Sequence, residues 1–346
     1  MKAIVYNGPW DMTLEDLPKP EAGEGDVLVQ MEVVGICGSD VHGFTGESGR
    51  RTPGMVMGHE AVGKVVAHGA GVTEPEIGRR VVVYNILANV PPTPEEGDPS
   101  FLDKKVVGVN LGTCGAMASY LKIPAVNAIP VPENVAPEIA ILAEPLGVAT
   151  HGFNRLKAKA INPTTLAIMG AGTIGLSALL VARERGANKI AIVDIIPGKL
   201  VRTAAFGGSP VLVTEEDSVE EISDKTKAVL GEKPEVVVDA VGTEKSFAQC
   251  VAAVGEGGTI LLIGNLAKEV TLPLQTTVSN ETTLIGSYGF DKSAFKEALL
   301  MVPNLQEQLA TFIEGRCRLE DTPAVMTRLA KGERQGLKVV IELHHA

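Results

Sequence analysis

The sequence contains few cysteines and no long apolar run, and both absences narrow the class of protein. Its four cysteines, Cys37, Cys114, Cys250 and Cys317, are scattered over 346 residues, unlike a disulfide framework, which favours a reducing compartment. No window reaches the ~18 uninterrupted apolar residues of a membrane span, and the first residues lack the apolar core of a secretion signal. We expect a cytoplasmic protein with no membrane partner.

The sequence also lacks an excess of basic residues. The formal net charge is −11, and no stretch interleaves basic with aromatic residues, so the protein would repel a phosphate backbone. Nucleic acid is therefore not an expected partner. The chain does have the length and the apolar content, 45% of its residues, for two domains with separate cores.

The N-terminal part of the chain has the pattern of an irregular β domain. Short apolar runs at residues 2–6, 27–34 and 61–68 are separated by clusters of Gly, Pro and Asp, which predicts strands joined by turns. Residues 84–111 lose this periodicity and include a Pro-rich stretch at 91–99. That composition predicts an exposed loop.

From residue 162 onward, apolar strands alternate with helical patterns, which predicts βαβ units and a parallel sheet. Six strands are predicted, at 166–169, 189–193, 211–213, 236–239, 259–263 and 283–287. The tail differs from this series and predicts a helix at 293–302, a segment holding Cys317, a helix at 322–330 and a strand at 337–343. We expect this tail to return to the first domain, so that the domains are 1–150 with 291–346, and 151–290.

The first βα turn of this second domain carries a phosphate-binding pattern, Gly170-Ala171-Gly172-Thr173-Ile174-Gly175. The first glycine permits a tight turn, the second lets the backbone approach a pyrophosphate, and the third lets helix and strand pack closely. The pattern follows a predicted strand and opens a predicted helix, whose N-terminus would face the phosphates. This context predicts a dinucleotide site.

Asp194 follows 24 residues after Gly170, at the end of the next predicted strand. A carboxylate there accepts hydrogen bonds from the adenosine ribose hydroxyls and repels a 2′-phosphate. No arginine occurs at 195–198, so NAD is predicted over NADP. Lys199 is a basic residue that would soften the preference.

A second candidate site lies between residues 35 and 60, where a thiol, imidazoles and carboxylates occur close together. Gly-Ile-Cys-Gly-Ser-Asp-Val-His spans 35–42, and Gly58-His59-Glu60 follows. Zinc takes this mixture of S, N and O ligands. On residue types alone, Cys37 as a small buried apolar residue and His59 as a core histidine are equally open.

Together these motifs resemble the zinc-dependent medium-chain dehydrogenases, and within them the sorbitol (polyol) dehydrogenase-like branch. Gly58-His59-Glu60-x2-Gly63-x5-Gly69-x2-Val72 is similar to the zinc signature of that family, residues 35–42 to its first-ligand motif, and Ala143-Glu144-Pro145-Leu146 to its third. The resemblance runs essentially end to end. It implies an α/β protein with a GroES-like catalytic domain built from both chain ends and a Rossmann domain, a doubly wound six-stranded parallel sheet, between them.

The resemblance also implies the site residues. It makes Cys37, His59 and Glu144 metal ligands, with Glu60 as an alternate or fourth one; which carboxylate binds directly stays open. Asp40 resembles the acid that orients the ligand histidine. The resemblance implies that Ser39 and His42 are the catalytic side chains of a proton relay. It implies cofactor contacts at Gly170, Gly172, Ile174, Gly175, Asp194, Lys199, Val241, Gly264, Ser287 and Tyr288.

The sequence departs from the family at the structural zinc, whose four close cysteines are missing from residues 84–111. We therefore expect one zinc per chain, no structural zinc, and a segment 84–111 that is dispensable for the metal site. The remaining cysteines are expected to be packed thiols, and the remaining histidines to be structural or solvated. These residues are Cys114, Cys250, Cys317, His68, His151, His344 and His345.

A second departure concerns the substrate. Gly289 and Phe290 stand where the polyol branch has an Arg-Tyr pair, and Phe44 stands where it has an aromatic wall, which predicts a more apolar pocket than a hexitol site. The expected reaction is NAD-linked oxidation of a secondary alcohol, such as a polyol, sugar or cyclic alcohol, by a homodimer or homotetramer. The alternatives are a zinc-free reductase of activated double bonds and a non-catalytic dinucleotide-binding protein.

Overall fold

The computed structural model describes residues 1–87, 105–109, 115–156, 165–333 and 336–343. Its strands are β1 (Lys2–Gly8), β2 (Asp11–Asp16), β3 (Asp26–Ile36), β4 (Met55–Val56), β5 (Glu60–His68), β6 (Arg80–Val83), β7 (Ile86–Leu87), β8 (Lys105–Val106), β9 (Tyr120–Pro124), β10 (Ala128–Pro130), β11 (Thr165–Met169), β12 (Lys189–Asp194), β13 (Ser209–Leu212), β14 (Val236–Asp239), β15 (Thr259–Leu262), β16 (Thr283–Gly286), β17 (Ile313–Arg318) and β18 (Lys338–Glu342).

The α-helices are Gly38–Phe44, Pro137–Ala140, Ala143–Arg155, Thr173–Glu184, Pro197–Leu200, Val219–Leu230, Glu244–Ala253, Leu274–Ser279, Lys292–Met301, Gln306–Ala310 and Thr322–Ala330. Short 3-10 helices occur at Ala125–Asn127, Val302–Asn304 and Leu319–Asp321. Among the described residues, no helix has both the length and the apolarity to cross a bilayer.

The chain divides into two compact units, Met1–Glu144 with Val302–Ala346, and Pro145–Met301. These limits differ from the predicted limits at residues 150 and 291. The helix Lys292–Met301, which the sequence pattern had placed in the first domain, belongs to the second unit. The Phe295 ring stacks on Phe290 with centroids 5.4 Å apart, and Arg185 donates a hydrogen bond of 2.7 Å to Glu297.

The first unit is organised around β3, whose alternating apolar residues are nearly all buried. In its main sheet the strand order is β10-β6-β5-β3-β18-β17, and β9 also pairs with β3. The chain end thus returns to this unit as expected, since β18 runs antiparallel to β3 with Val339 opposite Ile36. β17, which holds Cys317, was not predicted, because most of its residues are not buried and its apolar alternation is weak.

The second unit contains a six-stranded parallel sheet in the order β13-β12-β11-β14-β15-β16. All six predicted strands occur there, and the predicted fold class is confirmed. The strand order reverses beside β11, and ligands of such sheets bind outside the carboxyl ends of the strands at this switch point. The glycine-rich turn after β11 and the loop after β14 lie at that place.

Candidate active site

Three of the predicted ligand residues come together in the first unit. One ligand atom each of Cys37, His59 and Glu60 lies within 4.8 Å of the other two. Cys37 follows β3, and Glu60 begins β5, so the antiparallel register that sets Gly35 opposite Glu60 brings the two segments side by side. The thiol, imidazole and carboxylate are a donor set that suits zinc.

Gly35 is required by the position of the Glu60 side chain. A Cβ atom at Gly35 would lie 2.2 Å from Glu60 Oε2, so any larger residue would displace the carboxylate. Glu60 is 1% exposed, and its Oε2 has no hydrogen-bond partner in the described structure. A buried, partnerless carboxylate oxygen beside a thiol and an imidazole fits a bound cation.

Asp40 contacts His59, the predicted ligand histidine, on its Nδ1 side. Its Oδ1 lies 3.3 Å from His59 Nδ1 and 3.3 Å from Nη2 of Arg51, and its Oδ2 accepts the Cys37 N–H at 3.1 Å. Burial works to raise the pKa of Asp40, but the charges of His59 and Arg51 outweigh it and lower the pKa to about 2. An ionised Asp40 at Nδ1 leaves Nε2 of His59 for a metal, which is the arrangement of a well-held ligand histidine.

Lys338 is a member of the site that the sequence did not reveal. Its Nζ lies 2.6 Å from Glu60 Oε1 and also donates to the Ile36 carbonyl at 3.3 Å. Lys338 is 3% exposed; burial works to lower its pKa, but the charges of Glu60, Cys37 and Glu144 and the hydrogen bond to Glu60 together raise it. The signal available in the sequence was a lysine at the start of the apolar strand β18, where a buried cation needs a partner.

Glu144 lies beside the three clustered residues and is tied to a neutral group. Its Oε1 accepts a hydrogen bond of 3.2 Å from Asn85 Nδ2, which also donates to the His59 carbonyl at 3.3 Å. Burial raises the pKa of Glu144 to about 7, and the negative charge of Glu60 adds to this effect. Among the described residues, the group that could hold a metal includes Glu60 and not Glu144.

Two described residues of segment 84–111 contact residues at or beside the site, and the prediction that the segment is dispensable for metal binding stays a prediction. Asn85 belongs to that segment and links Glu144 to the His59 backbone. The carbonyl of Val109, in the same segment, accepts a hydrogen bond of 3.4 Å from Arg51. The prediction considered only thiol and imidazole ligands, whereas this segment contributes an amide and a carbonyl.

The two residues of the predicted relay, Ser39 and His42, lie on the helix Gly38–Phe44 that follows Cys37, and both are exposed. His42 Nδ1 lies 2.9 Å from Glu47 Oε2. Phe44 is 1% exposed and packs against Trp10 with ring centroids 5.7 Å apart. It is a core residue of the first unit, so the prediction that it forms an aromatic wall is wrong.

The glycine-rich turn needs its glycines for steric reasons. Gly170 has a φ of +99°, and a Cβ at Gly175 would lie 1.7 Å from the Gly170 carbonyl oxygen, so both positions need glycine. Gly172 caps the helix Thr173–Glu184, and no atom lies within 4 Å of where its Cβ would be. Ile174, in the first turn of that helix, is partly exposed.

Asp194 ends β12 and is anchored by the backbone around it. Its Oδ2 accepts the Ala171 N–H at 2.8 Å, and its Oδ1 accepts the Ile196 N–H at 2.9 Å. Lys199 Nζ lies 3.5 Å from Oδ2. A carboxylate offers about four lone-pair sites, so both oxygens retain capacity for ribose hydroxyls. A cavity of about 350 Å³ adjoins this residue and is lined by Ile195, Ile196, Pro197, Leu212, Val213, Thr214 and Glu215.

The other predicted cofactor contacts follow β14, β15 and β16. The Val241 N–H donates to Asp239 Oδ1 at 3.0 Å, and the Gly264 N–H donates to the Asp239 carbonyl at 2.8 Å. After β16, the Ser287 N–H donates to the Leu262 carbonyl at 2.8 Å. These bonds fix the backbone at the carboxyl ends of the strands.

The two aromatic residues after Ser287 are exposed to very different degrees. The Tyr288 side chain is exposed, whereas Phe290 is 1% exposed and packs inside the second unit. The prediction that Phe290 makes the substrate pocket apolar is therefore wrong.

The remaining cysteines and histidines of the described structure have structural surroundings. Burial raises the pKa of the Cys250 thiol and raises that of Cys317 to about 11. His68 Nε2 lies 2.7 Å from the Pro75 carbonyl, and His151 Nδ1 lies 3.4 Å from Asp291. The expectations for Cys114, His344 and His345 concern positions outside the described residues.

Comparisons with known proteins match this geometry. The profile of the alcohol dehydrogenase GroES-like domain matches residues 23–133, and that of the zinc-binding dehydrogenases matches 173–303. Sorbitol dehydrogenase of Ovis aries is 31% identical, covering 98% of this chain and 96% of its own length. Sorbitol dehydrogenase of Bombyx mori is 29% identical, covering 99% of both chains.

Solved structures agree with these matches. An alcohol dehydrogenase from a Thermus species is 27% identical with a TM-score of 0.81, covering 99% of this chain and 100% of its own. An alcohol dehydrogenase from Thermotoga maritima, 22% identical with a TM-score of 0.89 and 99% coverage of both chains, shares the fold. These findings define a zinc-binding dehydrogenase class. The chain belongs to the medium-chain alcohol dehydrogenase family, in its sorbitol dehydrogenase-like branch, and is an oxidoreductase, as predicted.

Proposed function

We propose that this dehydrogenase oxidises a secondary alcohol, with a polyol as the leading substrate class, to a ketone with NAD and one zinc ion per chain. The observation that carries the proposal is the group of half-buried Cys37 with buried His59 and Glu60, one ligand atom of each lying within 4.8 Å of the others. Three protein ligands with a fourth position left for substrate are typical of catalytic zinc. The similarity to sorbitol dehydrogenases over nearly the whole chain supports the substrate class.

The zinc would be held by Cys37, His59 and Glu60, and Glu144 would lie beside it. Zinc supplies Lewis-acid chemistry that makes an alcohol oxygen more acidic near neutral pH. Asp40 keeps His59 in the tautomer that presents Nε2, because its carboxylate faces Nδ1 at 3.3 Å. Glu144, held through Oε1 by Asn85, keeps its other oxygen as an acceptor for a water or a substrate hydroxyl.

Ser39 and His42 would take up the proton of the alcohol and pass it to solvent. The contact of 2.9 Å between His42 Nδ1 and Glu47 Oε2 supports this role. A carboxylate at Nδ1 favours the tautomer in which Nε2 is free to accept a proton. His42 is exposed, so it can release that proton to water.

NAD would bind on the second unit, with its pyrophosphate at the turn Gly170–Gly175 and its adenosine ribose at Asp194. The apolar cavity lined by Ile195, Ile196 and Leu212 adjoins Asp194 and would receive the adenine base. Lys199 lies 3.5 Å from Asp194 and offsets part of the charge that would reject a 2′-phosphate. We therefore propose a preference for NAD that is finite and not absolute.

A homodimer or homotetramer is proposed on the basis of the edge strand β16. This strand pairs with β15 on one side, and the chain around it exposes large apolar side chains, namely Leu266, Val270, Leu272, Leu274, Val278 and Leu284. Exposed apolar patches and unpaired sheet edges mark association surfaces. Sedimentation of the protein and of Val278→Lys tests this, and a wild-type monomer would contradict it.

The reaction is tested by assaying the purified protein on a panel of alcohols with NAD and with NADP. The panel holds sorbitol, xylitol, 2,3-butanediol, cyclohexanol and ethanol, and the readout is reduced cofactor. We expect the highest kcat/KM for a secondary alcohol of polyol type with NAD, and little rate with ethanol. Reduction of an activated double bond in place of any alcohol oxidation would contradict the proposal.

A further inference from the structure

The two carboxylates of the metal site are held by partners of different charge. Glu60 faces the ammonium of Lys338 at 2.6 Å, whereas Glu144 accepts from the neutral amide of Asn85 at 3.2 Å. All four side chains are buried. An opposite charge therefore lies against Glu60, and a neutral group lies against Glu144.

The ammonium of Lys338 is fixed, and it occupies only one oxygen of Glu60. Its Nζ bonds Glu60 Oε1 and the Ile36 carbonyl, which precedes Cys37 in the chain. The second oxygen, Oε2, has no partner in the described structure, and Gly35 leaves the space that it fills. Lys338 thus ties the carboxylate by one oxygen and leaves the other available.

We infer that Lys338 is a positioning residue that restricts Glu60 to binding the metal through a single oxygen, so that a coordination position stays open for the substrate. This inference rests on the proposed function. A carboxylate can bind a metal through one oxygen or through both, and a catalytic zinc needs an open position. A strong ionic hydrogen bond to Oε1 makes that oxygen a poor second ligand.

Charge supports the same role. The two positive charges of a zinc ion would be balanced by the Cys37 thiolate and the Glu60 carboxylate. A charged Glu144 would then add one negative charge that the zinc does not balance. Lys338 supplies the compensating positive charge inside the buried site, where an unpaired charge is costly. Lys338→Met would remove this charge and keep a side chain of similar length.

The experiment uses cobalt(II) in place of zinc, because its visible bands are intense when four-coordinate and weaker when five-coordinate. Wild type should bind one cobalt per chain with intense bands, and added imidazole, a neutral ligand, should shift them. Lys338→Met should still bind one cobalt, and imidazole should no longer shift its bands, because the second oxygen of Glu60 would fill the position that imidazole takes in wild type. Its kcat/KM should fall about 10- to 100-fold, the usual loss on removing a group that orients a metal ligand.

Two further variants keep the inference falsifiable. Lys64→Met is the matched control, since it breaks a pair with Glu32 at 3.6 Å in the same unit, and its bands should equal those of wild type. Lys338→Gln keeps a hydrogen-bond donor without the charge, and it replaces Lys338→Met in the cobalt experiment if Lys338→Met does not fold. Expected bands for it lie between those of wild type and Lys338→Met.

The outcomes separate the two proposals. Wild-type cobalt bands together with an unchanged Lys338→Met or Lys338→Gln spectrum would overturn the role of Lys338 and leave the zinc proposal standing. Failure of wild type to bind cobalt or zinc would overturn both proposals.

Discussion

The proposed metal site of the first unit and the proposed nucleotide turn of the second are built in opposite ways. The turn is one contiguous stretch, Gly170 to Gly175, whose geometry is set by backbone conformation and by a lack of side chains. The metal site gathers side chains from distant segments, with Glu60 and Lys338 separated by 278 positions. The turn therefore depends on backbone conformation and on positions that carry no side chain, whereas the proposed metal site depends on pairs of charged side chains.

This difference predicts how each region fails. A residue of the metal site has a charged or hydrogen-bonding partner, so its removal changes the chemistry of the site and also leaves a buried group unpaired. A change at the nucleotide end of the second unit should alter the choice or affinity of the cofactor. Variants in one region should leave the binding function of the other intact.

The largest effect is expected for Cys37→Ala, which removes the thiolate ligand. Metal should be lost, and kcat/KM should fall about 10³-fold or more, because a Lewis-acid metal contributes several kcal/mol to the barrier. NAD binding, measured by calorimetry, should stay at the wild-type level. Cys317→Ala is the control and should keep both metal and rate; loss of metal in the control alone would refute the assigned ligand.

The next effect is expected on the cofactor side, for the double variant Asp194→Gly with Ile196→Arg. It removes a like charge and adds a guanidinium for a 2′-phosphate, so the ratio of kcat/KM for NAD over NADP should fall about 100-fold, or about 2.8 kcal/mol. Zinc content should not change. An unmoved ratio would show that Asp194 does not select the cofactor.

His42→Ala tests the role in proton release that we propose for His42. A general base contributes about 10²- to 10⁴-fold, so the rate at neutral pH should fall about 100-fold and recover in part in alkaline buffer, where solvent takes the proton. Metal content should be that of wild type. If the pH–rate profile keeps its shape, His42 is a surface histidine paired with Glu47 and nothing more.

The smallest effect is expected for Asn85→Ala. Glu144 and the His59 carbonyl lose a shared donor at 3.2 and 3.3 Å, so metal affinity or kcat/KM should fall about tenfold. Asn127→Ala, also a buried amide bonded to backbone carbonyls, controls for a general loss of stability. Equal losses in both variants would assign Asn85 a purely structural role.

The sequence predicted the parts of the molecule that are local. Strand periodicity gave the six strands of the parallel sheet, and the glycine spacing gave the turn after β11, because each depends on neighbouring residues. The segments that hold Cys37, His59 and Glu60 were also identified, since their motifs are short.

Asp40 was predicted as the partner of His59, but the more distant partners were not, because they depend on long-range packing. Lys338, Asn85 and Arg51 reach the site only after β18, β7 and the loop before β4 are in place, and no short spacing indicates it. Phe44 and Phe290 were misinterpreted for the same reason, since a position in the chain does not tell whether a ring faces solvent or the core.

The most direct test of the zinc-dependent mechanism is a zinc titration of activity. Metal-free protein, prepared with a chelator and shown to remain folded, is assayed for NADH formation from the preferred alcohol as zinc is added. The rate should be at background without metal and should reach its maximum at one zinc per chain. A metal-free protein that keeps its rate, or a rate that rises until two zinc ions per chain are bound, would contradict it.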